Sequence, residues 1–232
     1  MTDFPFDIVG FDLDGTLLDT SADLLGATNH ALDLAGRPRL EMAAVMTMVG
    51  RGAKHMLEQA LEASGGYDEA LMARLYPALL EWYRDHVSDH SRPFPGMLEA
   101  LDDLAARGVT LGIVTNKFEY LAVKLIGELG LSARFATIIG GDTMGKGNAK
   151  PSALPIQEMI RRCGGGRAAF VGDSIYDILA AQNAGIPGIA VSFGFLMQPV
   201  EELGADAVID DYAELIPTLE ELAGAAPRAA QL

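Results

Sequence analysis

Short runs of consecutive apolar residues alternate along the chain with longer segments in which apolar residues recur every three or four positions. The short runs are typical of parallel strands covered on both faces, and the longer segments are typical of amphipathic helices. The predicted strands are residues 7–12, 109–115, 136–139, 168–172, 188–192 and 207–209. The predicted helices between them are residues 96–107, 118–129, 152–162 and 174–184. This alternation predicts an α/β fold built on a doubly wound parallel sheet.

The first two predicted strands are separated by about ninety residues, whereas a crossover between parallel strands needs only about a dozen. From Leu17 to about His90 the pattern is helical and carries no strand signal. The segment SRPFPG that follows predicts a return linker, because its two prolines and its glycine disfavour helix. We therefore predict a core domain of residues 1–16 and 92–232, interrupted by a helical cap domain of residues 17–91. Residues 224–232 are predicted to form a frayed tail.

Acidic side chains outnumber basic ones, with 32 Asp and Glu against 17 Lys and Arg, so the formal net charge is −15. Such a chain is not expected to bind nucleic acid, and an anionic ligand would have to be held by local cations or a metal ion. Cys163 is the only cysteine, which excludes an intramolecular disulfide framework, a zinc ribbon and a CxxC redox pair. The first apolar run is too short, and too interrupted by aspartates, for a signal sequence or a membrane span. We expect a cytoplasmic protein that has no membrane partner.

Polar residues follow four of the predicted strands, at the end where open parallel sheets bind their ligands. They are Asp12 and Asp14 after the first strand, Thr115, Asn116 and Lys117 after the second, Lys146 and Lys150 after the third, and Asp173, Ser174 and Asp177 after the fourth. Two carboxylates about 4 Å apart repel each other by about 4 kcal/mol at an effective dielectric constant of about 20, so converging acids require a cation. Because these loops supply oxygen ligands but no histidine or cysteine, the pattern favours Mg²⁺ over zinc.

The segments DLDGTLLDT, IVTNK, the Lys150–Pro151 pair and VGDSIYD occur in this order and together resemble the four motifs of the haloacid dehalogenase superfamily. The resemblance extends over essentially the whole chain, and within the superfamily it is strongest to the phosphoglycolate phosphatases. It implies a Mg²⁺-dependent phosphatase that hydrolyses a small phosphorylated metabolite through an aspartyl-phosphate intermediate. The expected substrate is 2-phosphoglycolate.

The resemblance also implies a role for each motif residue. Asp12 would attack phosphorus, and Asp14 would protonate the leaving alkoxide and then activate water. Thr115 and Asn116 would donate hydrogen bonds to the phosphoryl oxygens, and Lys150 would neutralise charge beside Asp12.

By the same resemblance, Mg²⁺ would be held by the side chains of Asp12 and Asp173 and by the main-chain carbonyl of Asp14. Asp177 lies one helical turn beyond Asp173, so we expect Asp177, together with Ser174, to orient the metal ligands rather than to bind the ion.

Two positions differ from what is common in the superfamily. The chain reads KPSALP and lacks the acid that usually follows Pro151, so Lys146 is a rival for the charge-neutralising role. We favour Lys150 because Pro151 could begin the next helix and place Lys150 at its N-terminal end. In the cap segment VGRGAKH, Arg51 stands where the phosphoglycolate phosphatases often have a neutral residue. Beside Gly52, Arg51 could hold a substrate carboxylate with two hydrogen bonds.

Other functions remain open at this point. A sugar-phosphate mutase of the same superfamily keeps both acids, and a regulatory protein could bind a phosphometabolite without turnover. A dehalogenase or a phosphonate hydrolase is disfavoured because their families lack the second acid, present here as Asp14. Residues 140–146 fit the GxxxxGK spacing of a P-loop, but Gly147 stands where the metal-binding hydroxyl is required. The aromatic residues of the last cap helix, Tyr76, Trp82 and Tyr83, are predicted to be core rather than pocket.

Overall fold

A computed structural model describes residues 4–223, which contain a sheet of six parallel strands. The strands are β1 (Ile8–Phe11), β4 (Thr110–Val114), β5 (Thr137–Ile139), β6 (Ala168–Gly172), β7 (Gly188–Val191) and β8 (Ala207–Ile209). Their spatial order is β5-β4-β1-β6-β7-β8. The chain therefore runs outward from β1 in both directions, and the crevice at the carboxyl ends of β4, β1 and β6 is a topological switch point. This architecture confirms the predicted α/β fold, and each strand lies within two residues of its predicted bounds.

Helices cover both faces of this sheet. They are α5 (Met97–Ala106), α6 (Glu119–Glu128), α7 (Leu154–Arg162), α8 (Ile175–Ala184) and α9 (Leu215–Leu222). Alternate residues of β1 enter different apolar clusters: Ile8 packs in the cluster that contains Met159 of α7, whereas Val9 packs in the cluster that contains Leu101 of α5. Burial on both faces explains why the strands are almost continuously apolar.

Four helices lie between β1 and β4, namely α1 (Ser21–Leu34), α2 (Met42–Met46), α3 (Ala53–Ala63) and α4 (Glu69–Asp85). We call residues 17–91 the helical insertion. Helix α1 packs against the other three helices, and the buried side chains of Leu57 and Leu75 belong to the same apolar cluster as Leu101 of α5. The division of the chain into a core domain and a cap domain at these residues stays a prediction.

The insertion also contains a strand, so the expectation that it has no strand is wrong. Strand β2 (Leu18–Asp19) pairs antiparallel with β3 (Arg92–Pro93), where the chain leaves and re-enters the α/β core. Two residues are too few to show the alternation from which a strand is predicted. Close to this pair, the buried carboxylate of Asp23 accepts hydrogen bonds from the backbone N–H groups of His90 and Ser91. The two connecting segments are thus joined by backbone and side-chain hydrogen bonds.

Among residues 4–223, no helix is both long enough and apolar enough to cross a bilayer. The predicted frayed tail, residues 224–232, lies outside the described residues.

Candidate active site

A cavity of about 650 Å³ lies between the carboxyl ends of β1 and β4 and the helical insertion. Its lining combines acids, cations and aromatic rings, including Asp12, Asp14, Arg51, Tyr83, Thr115, Asn116, Lys117, Lys146 and Lys150. The strand ends therefore bring together side chains that are far apart in the sequence, as the parallel sheet predicts.

Lys150 sits deep in this site, with its side chain only 2% exposed. Its Nζ donates hydrogen bonds to Asp12 Oδ1 at 2.6 Å, to Asp177 Oδ1 at 2.5 Å and to the carbonyl of Val114 at 2.7 Å. Burial alone would lower the pKa of Lys150, but the two carboxylates outweigh it and raise the pKa above its ordinary value. Lys150 is therefore a fixed positive charge beside Asp12.

The residues around Lys150 explain why it occupies this place, and they correct one expectation. The backbone N–H of Lys150 donates to Asn116 Oδ1, and its carbonyl accepts from Asn116 Nδ2, which fastens the segment to the end of β4. Pro151 does not begin the next helix: α7 begins at Leu154, and Pro155 occupies its first turn. Lys150 is thus positioned by Asn116 and by its ion pairs rather than by a helix N-terminus.

Asp173 follows β6 and is almost fully buried. Its Oδ2 accepts a hydrogen bond from the backbone N–H of Phe195 at 2.6 Å. The space around it exists because two neighbours are glycines: a Cβ on Gly15 would lie 2.1 Å from Asp173 Oδ2, and a Cβ on Gly194 would lie 2.3 Å from Asp173 Cβ. Burial, followed by the charges of Asp177 and Asp12, raises the pKa of Asp173 well above its ordinary value. A cation beside Asp173 would relieve this cost.

One carboxylate oxygen from each of Asp12, Asp173 and Asp177 lies within 4.8 Å of the corresponding oxygens of the other two residues. Burial raises the pKa of Asp12 to about 7, although the Lys150 charge acts against this shift. Three carboxylates against one ammonium leave an excess of negative charge in a buried site, and the donors are oxygens, the ligands that Mg²⁺ prefers. The residues therefore fit a divalent cation.

The hydrogen bonds distinguish Asp177 from the other two acids. Asp177 Oδ1 accepts from Lys150 Nζ, and Asp177 Oδ2 accepts from the backbone N–H and the hydroxyl of Ser174. Asp177 and Ser174 form a capping box at the start of α8. Because both oxygens of Asp177 are engaged, this residue is placed to orient Lys150 and the start of the helix.

The Asp14 side chain is not part of the acid cluster. Its Oδ1 accepts hydrogen bonds from Thr20 Oγ1 at 2.7 Å and from Lys117 Nζ at 2.5 Å. Lys117 Nζ also donates to the hydroxyl of Tyr83 on α4, at 2.7 Å. The carboxylate of Asp14 therefore lies at the side of the cavity, between the strand ends and the insertion.

Thr115 and Asn116 lie where β4 opens into the cavity. Thr115 Oγ1 accepts from the backbone N–H of Lys117. Besides its two bonds to the Lys150 backbone, Asn116 Nδ2 donates to the carbonyl of Gly50 in the insertion, at 2.9 Å. The Asn116 amide thus connects the insertion with the segment that carries Lys150.

The predicted substrate contacts of the insertion lie at the mouth of the cavity. Arg51 is exposed, with its guanidinium carbon 5.6 Å from the centre of the Tyr176 ring, and Gly52 lies just before α3. Lys146 also lines the cavity, but among residues 4–223 it forms no ion pair. The structure therefore places Lys150, and not Lys146, beside Asp12.

Sequence reasoning missed two residues of this site, Lys117 and Tyr83. The sequence places Lys117 only at a strand end, and it predicts that Tyr83 is a core residue. Tyr83 is indeed almost fully buried, yet its hydroxyl reaches the lysine beside Asp14. No spacing rule could connect α4 with β4, although the direct succession Thr115, Asn116, Lys117 was a signal that Lys117 lies at the same strand end.

The family of haloacid dehalogenase-like hydrolases matches residues 9–191 of the chain. A phosphoglycolate phosphatase of Agrobacterium fabrum is 44% identical over 214 residues, which cover 91% of each chain. A phosphoglycolate phosphatase of Caulobacter vibrioides is 41% identical over 213 residues, covering 89% of this chain and 88% of the relative. Among solved structures, a predicted phosphoglycolate phosphatase from Haemophilus somnus is similar with a TM-score of 0.85 and 28% identity, over 92% of this chain and 98% of that one.

Proposed function

The chain belongs to the haloacid dehalogenase-like hydrolases, and we propose that it is a Mg²⁺-dependent phosphatase that hydrolyses 2-phosphoglycolate through an aspartyl-phosphate intermediate. The observation that carries this proposal is the convergence of Asp12, Lys150 and Asp173 at neighbouring strand ends, where Asp12 and Lys150 also line the cavity. The choice of substrate is supported by the names of relatives that match the chain over about nine tenths of its length.

In this proposal the phosphoryl group binds over Asp12, with its oxygens held by Thr115 Oγ1 and the backbone N–H of Asn116. Lys150 neutralises charge beside Asp12 by binding the Oδ1 oxygen of Asp12. The lysine does not bind the second carboxylate oxygen of Asp12. That second oxygen attacks phosphorus in line with the departing alkoxide. Mg²⁺, held by Asp12, Asp173 and the Asp14 carbonyl, would supply positive charge to the phosphoryl oxygens.

Asp14 carries the proton in both steps. It first protonates the departing alkoxide, and it then takes a proton from the water that hydrolyses the aspartyl phosphate. Asp14 lines the cavity outside the acid cluster, a position that suits a group facing the leaving group of the ester. The insertion covers this side and would exclude bulk water during the reaction.

The test is release of inorganic phosphate from 2-phosphoglycolate, sugar phosphates, nucleotides and pyrophosphate, each with Mg²⁺ and with EDTA. We expect release only with the metal, and the highest kcat/KM for 2-phosphoglycolate. Asp12→Asn removes the nucleophile and should lower kcat by at least about a thousandfold. Asp7→Asn, just before the opposite end of β1, is the matched control and should change kcat by less than about twofold, since Asp7 is remote from the cavity.

Unchanged phosphate release in Asp12→Asn would refute the nucleophile assignment. Conversion of a sugar phosphate into its isomer without release of phosphate would indicate a mutase instead. Binding of phosphate esters with no product of either kind would indicate a regulatory protein.

A further inference from the structure

Three separate parts of the chain meet at one buried ammonium group. Lys117 Nζ, from the segment after β4, lies between Asp14 Oδ1 at 2.5 Å and the Tyr83 hydroxyl at 2.7 Å. The Lys117 side chain is only 4% exposed, and that of Asp14 is 12% exposed. Because Tyr83 belongs to α4, this contact connects the helical insertion with the acid side chain at the strand end.

The pair Lys117–Tyr83 restrains Asp14 more than an ordinary surface ion pair would. A buried ammonium loses its hydration, so it needs acceptors in fixed directions. Tyr83 supplies one acceptor, its hydroxyl oxygen. Without the hydroxyl, Lys117 would lose this acceptor, and the ammonium could turn towards the cavity.

The hydrogen bonds also distinguish the two oxygens of Asp14. Oδ1 accepts from both Thr20 and Lys117, whereas within residues 4–223 Oδ2 has no hydrogen-bond donor. Holding Oδ1 on one side leaves Oδ2 as the oxygen that can meet a leaving group in the cavity.

We propose that Lys117 and Tyr83 are positioning residues that fix the Asp14 carboxylate for proton transfer to the leaving group. The proposal rests on the proposed phosphatase function and adds to it the means by which the insertion controls the acid. Neither residue touches phosphorus. Loss of either residue should therefore slow hydrolysis most for esters whose leaving group must be protonated.

The experiment compares kcat/KM for two esters with the full-length enzyme and Mg²⁺. Departure of an alkoxide from 2-phosphoglycolate requires a proton, whereas departure of p-nitrophenolate from p-nitrophenyl phosphate does not. The value kcat/KM reports the steps up to leaving-group departure, so it isolates this proton transfer from the later hydrolysis of the intermediate.

Tyr83→Phe removes one hydroxyl and keeps the ring. We expect it to lower kcat/KM about tenfold for 2-phosphoglycolate and less than about twofold for p-nitrophenyl phosphate. Tyr120→Phe, which removes an exposed hydroxyl from α6 outside the cavity, should leave both values unchanged. Lys117→Met should produce a larger loss with the same preference, and adding Tyr83→Phe to Lys117→Met should cause no further loss, because Tyr83 acts through Lys117.

Equal losses of kcat/KM for the two esters would overturn the positioning role and leave a purely structural one. A further loss of kcat/KM when Tyr83→Phe is added to Lys117→Met would do the same. An unaffected Tyr83→Phe would overturn it as well. If Lys117→Met does not fold, the comparison of Tyr83→Phe with Tyr120→Phe still decides. Absence of turnover of either ester by the unaltered enzyme would instead overturn the proposed function, and the inference would fall with it.

Discussion

Replacing Lys150 by methionine removes the ammonium that lies between the buried carboxylates of Asp12 and Asp177. Methionine has a similar length and no charge, so the change isolates the ion pairs from packing. The ammonium donates three hydrogen bonds of 2.5 to 2.7 Å, and the carboxylate of Asp177 is fully buried. Breaking a buried ion pair from one side costs about 3–5 kcal/mol, because the remaining charge is left without a partner.

We therefore expect Lys150→Met to lower the free energy of unfolding by about 3–5 kcal/mol in EDTA at about pH 8, above the pKa of Asp12. At about 2–4 °C per kcal/mol for a chain of this size, the melting temperature should fall by about 6–20 °C. Urea unfolding should be followed by circular dichroism, since the only tryptophan, Trp82, lies in the insertion and reports that region alone. Lys146→Met is the matched control and should change stability by less than about 0.5 kcal/mol.

Magnesium should narrow the difference in the free energy of unfolding between the unaltered chain and Lys150→Met. Without the lysine the acid cluster carries one more negative charge, so it should bind the divalent ion more tightly and gain more stability from it. A destabilisation below about 1 kcal/mol, or equal effects of Lys150→Met and Lys146→Met, would refute the reasoning that Lys150 compensates the buried acids.

Three further results are expected. In EDTA, folded Asp12, with its pKa raised to about 7, keeps a proton that the unfolded chain has already released, so the urea midpoint should fall as the pH rises from about 4 to 7. Mg²⁺ should make the midpoint depend less on pH, and a midpoint that rises through this range would contradict the raised pKa of Asp12. Gly194→Ala would place a Cβ 2.3 Å from Asp173 Cβ, which should cost about 1–3 kcal/mol and raise the Mg²⁺ concentration needed for half-maximal activity; an unchanged magnesium requirement would show that Asp173 does not bind the ion. Arg51→Ala should raise KM about tenfold for 2-phosphoglycolate and little for phosphate esters without a carboxylate, and equal effects on both would refute a carboxylate contact.

The α/β sheet and its ligand-binding edge could be predicted because parallel strands impose a simple rule on the sequence. Residues directly after a buried parallel strand lie at its carboxyl end, so Asp12, Thr115 and Asp173 could be assigned to one edge before their distances were known. Lys150 does not follow a strand directly and could be assigned only through the family resemblance, since the expectation that Pro151 begins the next helix is wrong. Its place depends on the Asn116 side chain, a tertiary contact that no local pattern contains.

The features that were missed share this dependence on tertiary structure. Strands β2 and β3 are too short to have a periodicity, and they pair only because the insertion leaves and re-enters the core at one place. Tyr83 has the helical spacing of a core residue and is buried as one, while its hydroxyl alone takes part in the site. Helical periodicity predicts which face of α4 is buried, but it does not predict which lysine that face meets.

In the proposed mechanism Asp12 becomes phosphorylated during turnover, and trapping that intermediate tests the mechanism most directly. The enzyme would be mixed with substrate and Mg²⁺ and quenched in acid within the first turnover. Tritiated borohydride would then reduce the acyl phosphate, expelling the phosphate and leaving tritium-labelled homoserine, which peptide sequencing would locate. We predict label on Asp12, and no label in Asp12→Asn. Full phosphate release with the label on another residue, or an active Asp12→Asn enzyme, would contradict the account.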